Sequence, residues 1–107
     1  MYKIMNVKEL AAYQKGAIVS KTLVEKETGT VTLFAFDEGQ ALSEHTAPFD
    51  ALVQVIDGQA EIRIAGEPLR IEAGEMLIMP ANKSHALKAL TPFKMMLTMI
   101  RAGNIKK

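Results

Sequence analysis

Residues 52–64 of the chain read LVQVIDGQAEIRI, two apolar stretches on either side of Asp57-Gly58. Apolar and polar residues alternate in the second stretch, and this period of two is typical of a β-strand with one buried face. The first stretch is apolar on both faces apart from Gln54, so we expect that strand to be covered on both sides. Because an Asp-Gly pair suits a tight turn with positive φ, the segment predicts a β-hairpin.

Short strands are also predicted on both sides of this segment. β-branched and aromatic residues dominate 18–24 and 30–36, and residues 27–29 between them indicate another hairpin. Apolar runs separated by glycine and proline follow, with predicted strands at 68–71, 76–79, 84–90 and 93–101. About eight short strands, with a short amino-terminal helix over 7–13 capped by Asn6, predict an all-β antiparallel sandwich or barrel and exclude a parallel α/β fold.

The composition is that of one folded domain. Of the 107 residues, 49% are hydrophobic and 23% are charged, which excludes a chain kept disordered by low hydrophobicity and high net charge. We therefore expect residues 1–107 to form a single domain around one core. The sequence has no cysteine, which excludes thiol nucleophiles, cysteine-type zinc sites and iron–sulfur clusters.

The charge pattern argues against two classes of partner. The sequence has thirteen Lys and Arg residues against twelve Asp and Glu residues, and its basic residues cluster only at Lys106-Lys107. It therefore lacks the row of basic residues with which proteins bind the phosphates of nucleic acids. We expect no nucleic-acid partner. No apolar run approaches the roughly 20 residues of a membrane-spanning helix, so we expect no membrane partner and a cytoplasmic location.

The two histidines of the sequence, His45 and His85, lie in recognisable surroundings. Residues 39–47, GQALSEHTA, run on to Gly58 and resemble the first cupin motif, G-x5-H-x-H-x3-4-E-x6-G. Residues 74–85, GEMLIMPANKSH, resemble the second motif, G-x5-P-x-G-x2-H-x3-N. The sequence is therefore similar to small single-domain cupins of the RmlC-like, conserved-barrel type. This resemblance implies a double-stranded β-helix, or jelly-roll, barrel preceded by the short amino-terminal helix.

The resemblance also implies a metal site, but this sequence carries only part of the ligand set. Cupins usually hold a divalent metal at the open end of the barrel on three histidines and one glutamate. His45 matches the first histidine and His85 the third, whereas Ala47 and Ala51 occupy the positions of the second histidine and the glutamate. We therefore expect at most a weakly bound divalent metal on the two histidines. A bulge near Pro48 would turn Asp50 inward and supply one carboxylate.

Three functional hypotheses follow from these residues. The first is a binding module or enzyme that holds a small polar or carboxylate-bearing metabolite in the barrel. Its predicted pocket wall consists of two histidines, two alanines, one phenylalanine and one aspartate: His45, His85, Ala47, Ala51, Phe49 and Asp50. The second is a metal-dependent enzyme of the dioxygenase or sugar isomerase type that uses both histidines and Asp50. The third is a non-catalytic dimeric scaffold, and we expect a homodimer in all three cases because strand 52–56 is apolar on both faces.

Methionines are abundant near the predicted site. They lie at positions 76, 79, 95, 96 and 99, and they either fill the core or line an adaptable apolar pocket. A soft site built from methionine and histidine requires the thioethers to converge on the imidazoles, which the sequence does not decide.

Overall fold

Antiparallel β-strands build most of the chain that this computed structural model describes, residues 2–102. Lys106 and Lys107, the predicted basic end, lie outside the described residues. In chain order the strands of the described part are β1 (Ile18–Lys26), β2 (Gly29–Phe36), β3 (Ala41–His45), β4 (Phe49–Asp57), β5 (Gln59–Ile64), β6 (Glu67–Glu72), β7 (Met76–Met79), β8 (His85–Ala89) and β9 (Phe93–Arg101). Within residues 2–102 no helix has the length and apolar character needed to cross a bilayer.

The strands form two sheets that face each other across one apolar core. The larger sheet has the order β1-β2-β9-β4-β7 and the smaller one β3-β8-β5-β6, with antiparallel pairing throughout. Phe36 and Phe93 are fully buried, and their rings lie 5.6 Å apart at one end of the core. Towards the other end, alanine and methionine take over from the aromatic residues. The predicted all-β jelly roll is confirmed.

The predicted hairpin over residues 52–64 is wrong, because its two strands lie in different sheets. β4 pairs with β7 and β9, whereas β5 pairs with β6 and β8. Asp57-Gly58 is therefore the crossing from one sheet to the other. A turn dipeptide sets the local direction of the chain but does not choose the hydrogen-bonding partner of each strand. Placing the two strands in facing sheets buries the inner side of both in the same core, and Val53 and Ile62 are fully buried there.

Two hairpins do join neighbouring strands. β1 and β2 pair from Ile18 opposite Phe36 to Lys26 opposite Gly29, as predicted, with one irregularity in the register. β5 and β6 are joined at Ala65-Gly66, where both residues have positive φ, 50° and 85°. This is the backbone conformation that a two-residue hairpin turn of type I′ requires.

The predicted amino-terminal helix is shorter than expected. The Asn6 side chain caps it by accepting a hydrogen bond from the Lys8 N–H at 3.0 Å, but only a 3-10 turn over Val7–Glu9 forms. A helix of seven residues is marginal in water, and the chain beyond this turn gains more by packing on the larger sheet. There Ala11 is buried against side chains of β2, and the Tyr13 hydroxyl donates a hydrogen bond to the Asp57 carboxylate at 2.5 Å.

This amino-terminal segment covers only part of the outer side of the larger sheet. Ile56 on β4 packs beneath it, so the expectation that β4 is covered on both faces holds at that end. Further along, the outer side stays open, and we call this region the open outer face. It consists of apolar side chains on four of the five strands of the larger sheet, β1, β4, β7 and β9: Val24, Leu52, Met76, Ile78 and Ile100. All but the half-buried Leu52 are between 44% and 62% exposed.

Candidate functional site

A cavity of about 200 Å³ lies between the two sheets, at the end of the core away from Phe36 and Phe93. Its wall takes residues from β3, β4, β7, β8 and β9 and from the β3–β4 connection. The lining residues are two histidines and nine apolar residues: His45, His85, Leu42, Ala47, Ala51, Met79, Ala86, Leu87, Met95, Leu97 and Met99. The two imidazoles are thus the polar groups of an otherwise apolar wall.

The two histidines are held side by side by the strand pairing. His45 ends β3 and His85 begins β8, and the two residues are direct register partners. Their ring centroids are 4.3 Å apart, with the ring planes at 67° to each other. His45 is exposed and His85 half-buried, so the pair lies where the cavity meets solvent.

Each histidine makes the same hydrogen bond to the backbone two residues before it. His45 Nδ1 lies 2.7 Å from the Ser43 carbonyl oxygen, and His85 Nδ1 lies 3.2 Å from the Lys83 carbonyl oxygen. Since a carbonyl oxygen only accepts, Nδ1 carries the proton in both rings. In the neutral imidazole this leaves Nε2 free to accept a hydrogen bond or to coordinate a metal.

The connection between β7 and β8, which leads to His85, is tied to the rest of the barrel by its backbone. The Asn82 N–H donates to the Ala47 carbonyl at 2.9 Å, and Asn82 itself has a positive φ of 66°. The Ser84 carbonyl accepts from the Ala65 N–H at 2.7 Å, and the Ser84 hydroxyl donates to the Glu44 carboxylate. These bonds hold the second histidine against the first.

Four of the six predicted wall residues line the cavity, and Phe49 and Asp50 do not. The pairing of β4 with β9 is regular from Phe49 to Val55, so no bulge turns Asp50 inward. Side chains alternate along a strand, and Asp50 therefore lies on the face of β4 opposite to Ala51. Its carboxylate accepts a hydrogen bond from the Ala81 N–H at 2.9 Å. Phe49 lies beneath the Arg101 guanidinium, 4.9 Å from ring centroid to Cζ.

The divalent metal that the cupin motifs imply does not fit these residues. Within residues 2–102 no group of three or more His, Cys, Asp or Glu side chains is placed to hold a metal ion. Ala47 and Ala51 line the cavity at two of the four ligand positions of the motif, and a methyl group donates no electron pair. The enzyme hypothesis that added Asp50 to the two histidines is therefore not supported by the geometry.

The sequence alone does not decide which of the methionines line the cavity. Met79, Met95 and Met99 line the cavity, whereas Met76 and Met96 lie on the outer side of the larger sheet. Alternation along β9 places Met95 and Met99 on the inner face and Met96 on the outer face, and alternation along β7 separates Met79 from Met76 in the same way. The other two β8 residues of the wall, Ala86 and Leu87, have no distinguishing signal in the sequence because apolar residues are ordinary in any strand.

Comparison with known proteins agrees with the motifs and the fold. Residues 32–101 match the family described as Cupin domain. The chain belongs to the cupin family. This cupin is 32% identical to a conserved protein of unknown function, SPY1581, from Streptococcus pyogenes, with a TM-score of 0.92 over 97% of this chain and 91% of that one.

Two further solved structures extend the comparison. A cupin 2 conserved barrel domain protein from Leptotrichia buccalis is 42% identical with a TM-score of 0.88, over 91% of this cupin and 47% of that chain. A cupin superfamily protein from Desulfitobacterium hafniense has a TM-score of 0.89 over 94% of this cupin and 93% of that chain, and its 23% identity supports the fold alone. No curated protein matches the sequence.

Proposed function

We propose that this cupin binds a small organic molecule with an apolar body and one hydrogen-bond-donating group. The observation that carries the proposal is the wall of the cavity, which is apolar except for the imidazoles of His45 and His85. Concave apolar sites with a few convergent polar groups are the usual form of small-molecule pockets.

The volume of the cavity limits the size of the ligand. At about 200 Å³ it has room for one six-membered ring with one or two small substituents, since an apolar cavity of about 150 Å³ is known to take up benzene. Met79, Met95 and Met99 favour an aromatic ring in particular, because thioether sulfur makes favourable contacts with aromatic rings, worth about 0.3–1.5 kcal/mol each.

The two imidazoles select the polar end of the ligand. The hydrogen bonds to the Ser43 and Lys83 carbonyls use Nδ1 as the donor, so in the neutral form of each ring Nε2 is the acceptor and favours a hydroxyl or another donor. A metabolite with several polar groups, the class expected from the sequence, would leave groups without partners against leucine and methionine. Each such group costs about 1–3 kcal/mol, so the wall favours a ligand with a single polar end.

Phenol is a suitable probe, and toluene is its matched control because it has the same ring without the donor. We expect phenol to raise the melting temperature in a dose-dependent way and to shift the NMR signals of His45 and His85, with a weaker effect for toluene. Ala51→Leu fills the cavity and should abolish both responses, while Ala41→Leu, at an exposed position of β3, should keep them. Absence of a response to millimolar phenol, or an undiminished response in Ala51→Leu, would refute the proposal.

The open outer face supports a second proposal, that this cupin forms a homodimer. On this face Leu52 has Ile78 and the neighbouring Thr98 as its register partners on either side. All three are uncharged, so a two-fold axis through this point brings no like charges together. Large exposed apolar side chains clustered on one sheet face are typical of an association surface. The cytoplasmic location and the lack of a nucleic-acid partner stay predictions from the composition.

A further inference from the structure

The outermost strand of the larger sheet, β7, has a strand partner on only one of its two sides. It pairs with β4, and the sheet order β1-β2-β9-β4-β7 ends there. Along its other side runs a groove of about 430 Å³, which separates β7 from β6 of the smaller sheet. The edge of β7 is therefore accessible, and an accessible edge offers its backbone groups to another strand.

The hydrogen bonds to β4 show which backbone groups of β7 point to this free edge. The Val55 N–H donates to the Glu75 carbonyl at 2.9 Å, and Leu77, two residues further on, is the register partner of Val53 on β4. Bonded and non-bonded pairs alternate along an antiparallel ladder, so Leu77 also bonds to β4. The N–H and C=O groups of the residues on either side of it, 76 and 78, point to the free edge. In the described part of the chain these groups have no hydrogen-bond partner.

β7 also lacks the features by which edge strands avoid association. Charged side chains, proline and irregular register are common protections of such edges. β1 and β6 carry charges of both signs, β6 also contains Pro68, and β3 has an irregularity in its register. β7 has the sequence MLIM, with neither charge nor proline. Its Met76 and Ile78 side chains are 55% and 62% exposed. Among the four edge strands of the two sheets, β7 is thus the one open to pairing.

We propose that two copies of the chain pair along β7, edge to edge, and join their larger sheets into one. The free backbone groups fix the register of this contact. With a two-fold axis beside Leu77, Met76 lies opposite the partner's Ile78, and Ile78 lies opposite the partner's Met76. Each of these pairs exchanges two hydrogen bonds, so every free group of both strands finds a partner.

This self-complementary spacing is the reason for choosing a second copy as the occupant. A two-fold contact uses the same surface on both chains, and each edge is used once. The pairing therefore ends at two chains and does not continue into a fibre.

The edge contact goes beyond the homodimer proposed for the open outer face. Backbone groups at an edge point along the plane of the sheet, whereas the side chains of the open outer face stand perpendicular to it. One copy can therefore use both surfaces. Ile78 takes part in both, with its backbone at the edge and its side chain on the face, whereas Leu52 on β4 belongs to the face alone. Leu52→Glu thus removes the face contact and keeps the edge.

The test is sedimentation velocity of the Leu52→Glu variant over a range of concentrations, after circular dichroism has shown that it is folded. We expect a reversible dimer at high micromolar concentration. Adding Met76→Pro should weaken this dimer at least tenfold, because proline lacks the N–H that the partner strand needs. The fold should tolerate this change, since Met76 is the first residue of an edge strand and its N–H is unpaired in the monomer. Met76→Ala keeps the N–H, so this matched control should still dimerise.

Amide hydrogen exchange of the wild type, followed by NMR, measures the same contact without a substitution. Protection of the Ile78 N–H should rise with protein concentration, whereas the Leu77 N–H, bonded to β4, should be protected at every concentration. This measurement also decides the question if Leu52→Glu does not fold.

Three outcomes would overturn the edge contact: a folded Leu52→Glu variant that stays monomeric, an equally strong dimer after Met76→Pro is added, or an Ile78 N–H whose protection does not depend on concentration. Met76→Pro in the otherwise wild-type chain tests the open outer face separately. If Leu52→Glu dimerises and this single variant is a monomer, only the homodimer proposed for the face is refuted. If the single variant dimerises and Leu52→Glu does not, only the edge contact is refuted.

Discussion

Replacing Gly58 with alanine tests the crossing between the two sheets, which is the feature that places β4 and β5 on opposite sides of the core. Gly58 has a φ of 78°, a conformation that residues with a side chain rarely adopt. An alanine Cβ at this position would lie 1.9 Å from the Pro92 carbonyl oxygen and 2.9 Å from its carbonyl carbon. Both are backbone atoms, so no side-chain rotation relieves the contact.

The expected loss of stability has two parts. The positive φ contributes about 1–2 kcal/mol for a residue with a Cβ. The overlap with Pro92 adds about 1–3 kcal/mol, the usual range when atoms are forced into a well-packed site. We therefore expect Gly58→Ala to lower the free energy of unfolding by about 2–5 kcal/mol, which is a large fraction of the 5–15 kcal/mol typical of a domain.

Gly39→Ala separates these two parts. Gly39 has a similar φ of 85°, but nothing lies within 4 Å of an added Cβ. Its variant should lose only the first part, about 1–2 kcal/mol. The smaller entropy of the unfolded chain with alanine affects both variants alike and cancels in the comparison. Equilibrium unfolding in urea gives both values, and equal losses for the two variants would refute the close packing assigned to the crossing.

Three further predictions concern the surface of the barrel. Tyr13→Phe should lower the free energy of unfolding by about 1–3 kcal/mol in denaturant titrations, because the Asp57 carboxylate loses its hydrogen bond from the hydroxyl. Burial and that hydrogen bond raise the pKa of Tyr13. The wild type should therefore lose stability as the pH rises above about 10, and Tyr13→Phe should lack this loss. Equal dependence of the free energy of unfolding on pH in the two proteins would contradict this. Backbone N–H groups of Gly16 and Glu38 lower the pKa of Asp37, so this carboxylate stabilises the fold above its ordinary pKa, and Asp37→Asn should flatten the loss of stability in acid. If the proposed homodimer forms, Ile78→Glu should make the protein a monomer in light scattering without changing the melting of the monomer, and a wild type that is already monomeric at micromolar concentration would refute the proposal.

The strands and the two motifs could be read from the sequence because both depend on local pattern. Alternation predicts a strand face wherever one side is buried, and the spacing of Gly39, His45, Gly74 and His85 places the histidines at matching positions of the motif. Strand pairing is a long-range property. At Asp57-Gly58 the local pattern predicts a hairpin, but this turn connects strands of two different sheets.

The errors at Asp50 and at the amino-terminal helix have similar causes. A bulge near Pro48 is the alternative by which the sequence turns Asp50 inward, but a bulge forms only where the neighbouring strand permits it, and β9 pairs regularly with β4 there. The helix predicted over 7–13 begins at the expected cap, Asn6, but it ends after one 3-10 turn because the residues that follow pack on the larger sheet. In both places a neighbour that is distant in sequence decided between local alternatives of similar energy.

By itself the sequence determined the class of fold, the family and the two missing ligands, since each of these depends on residue type and spacing. Only the tertiary structure decided what replaced those ligands. The apolar wall of about 200 Å³ and the meeting of Met79 and Met99 around Ala51 arise from the pairing of β4 with both β7 and β9. Strand neighbours lie about 4.7–4.9 Å apart whatever their separation along the chain, so side chains from distant segments share one site only after the sheet has formed.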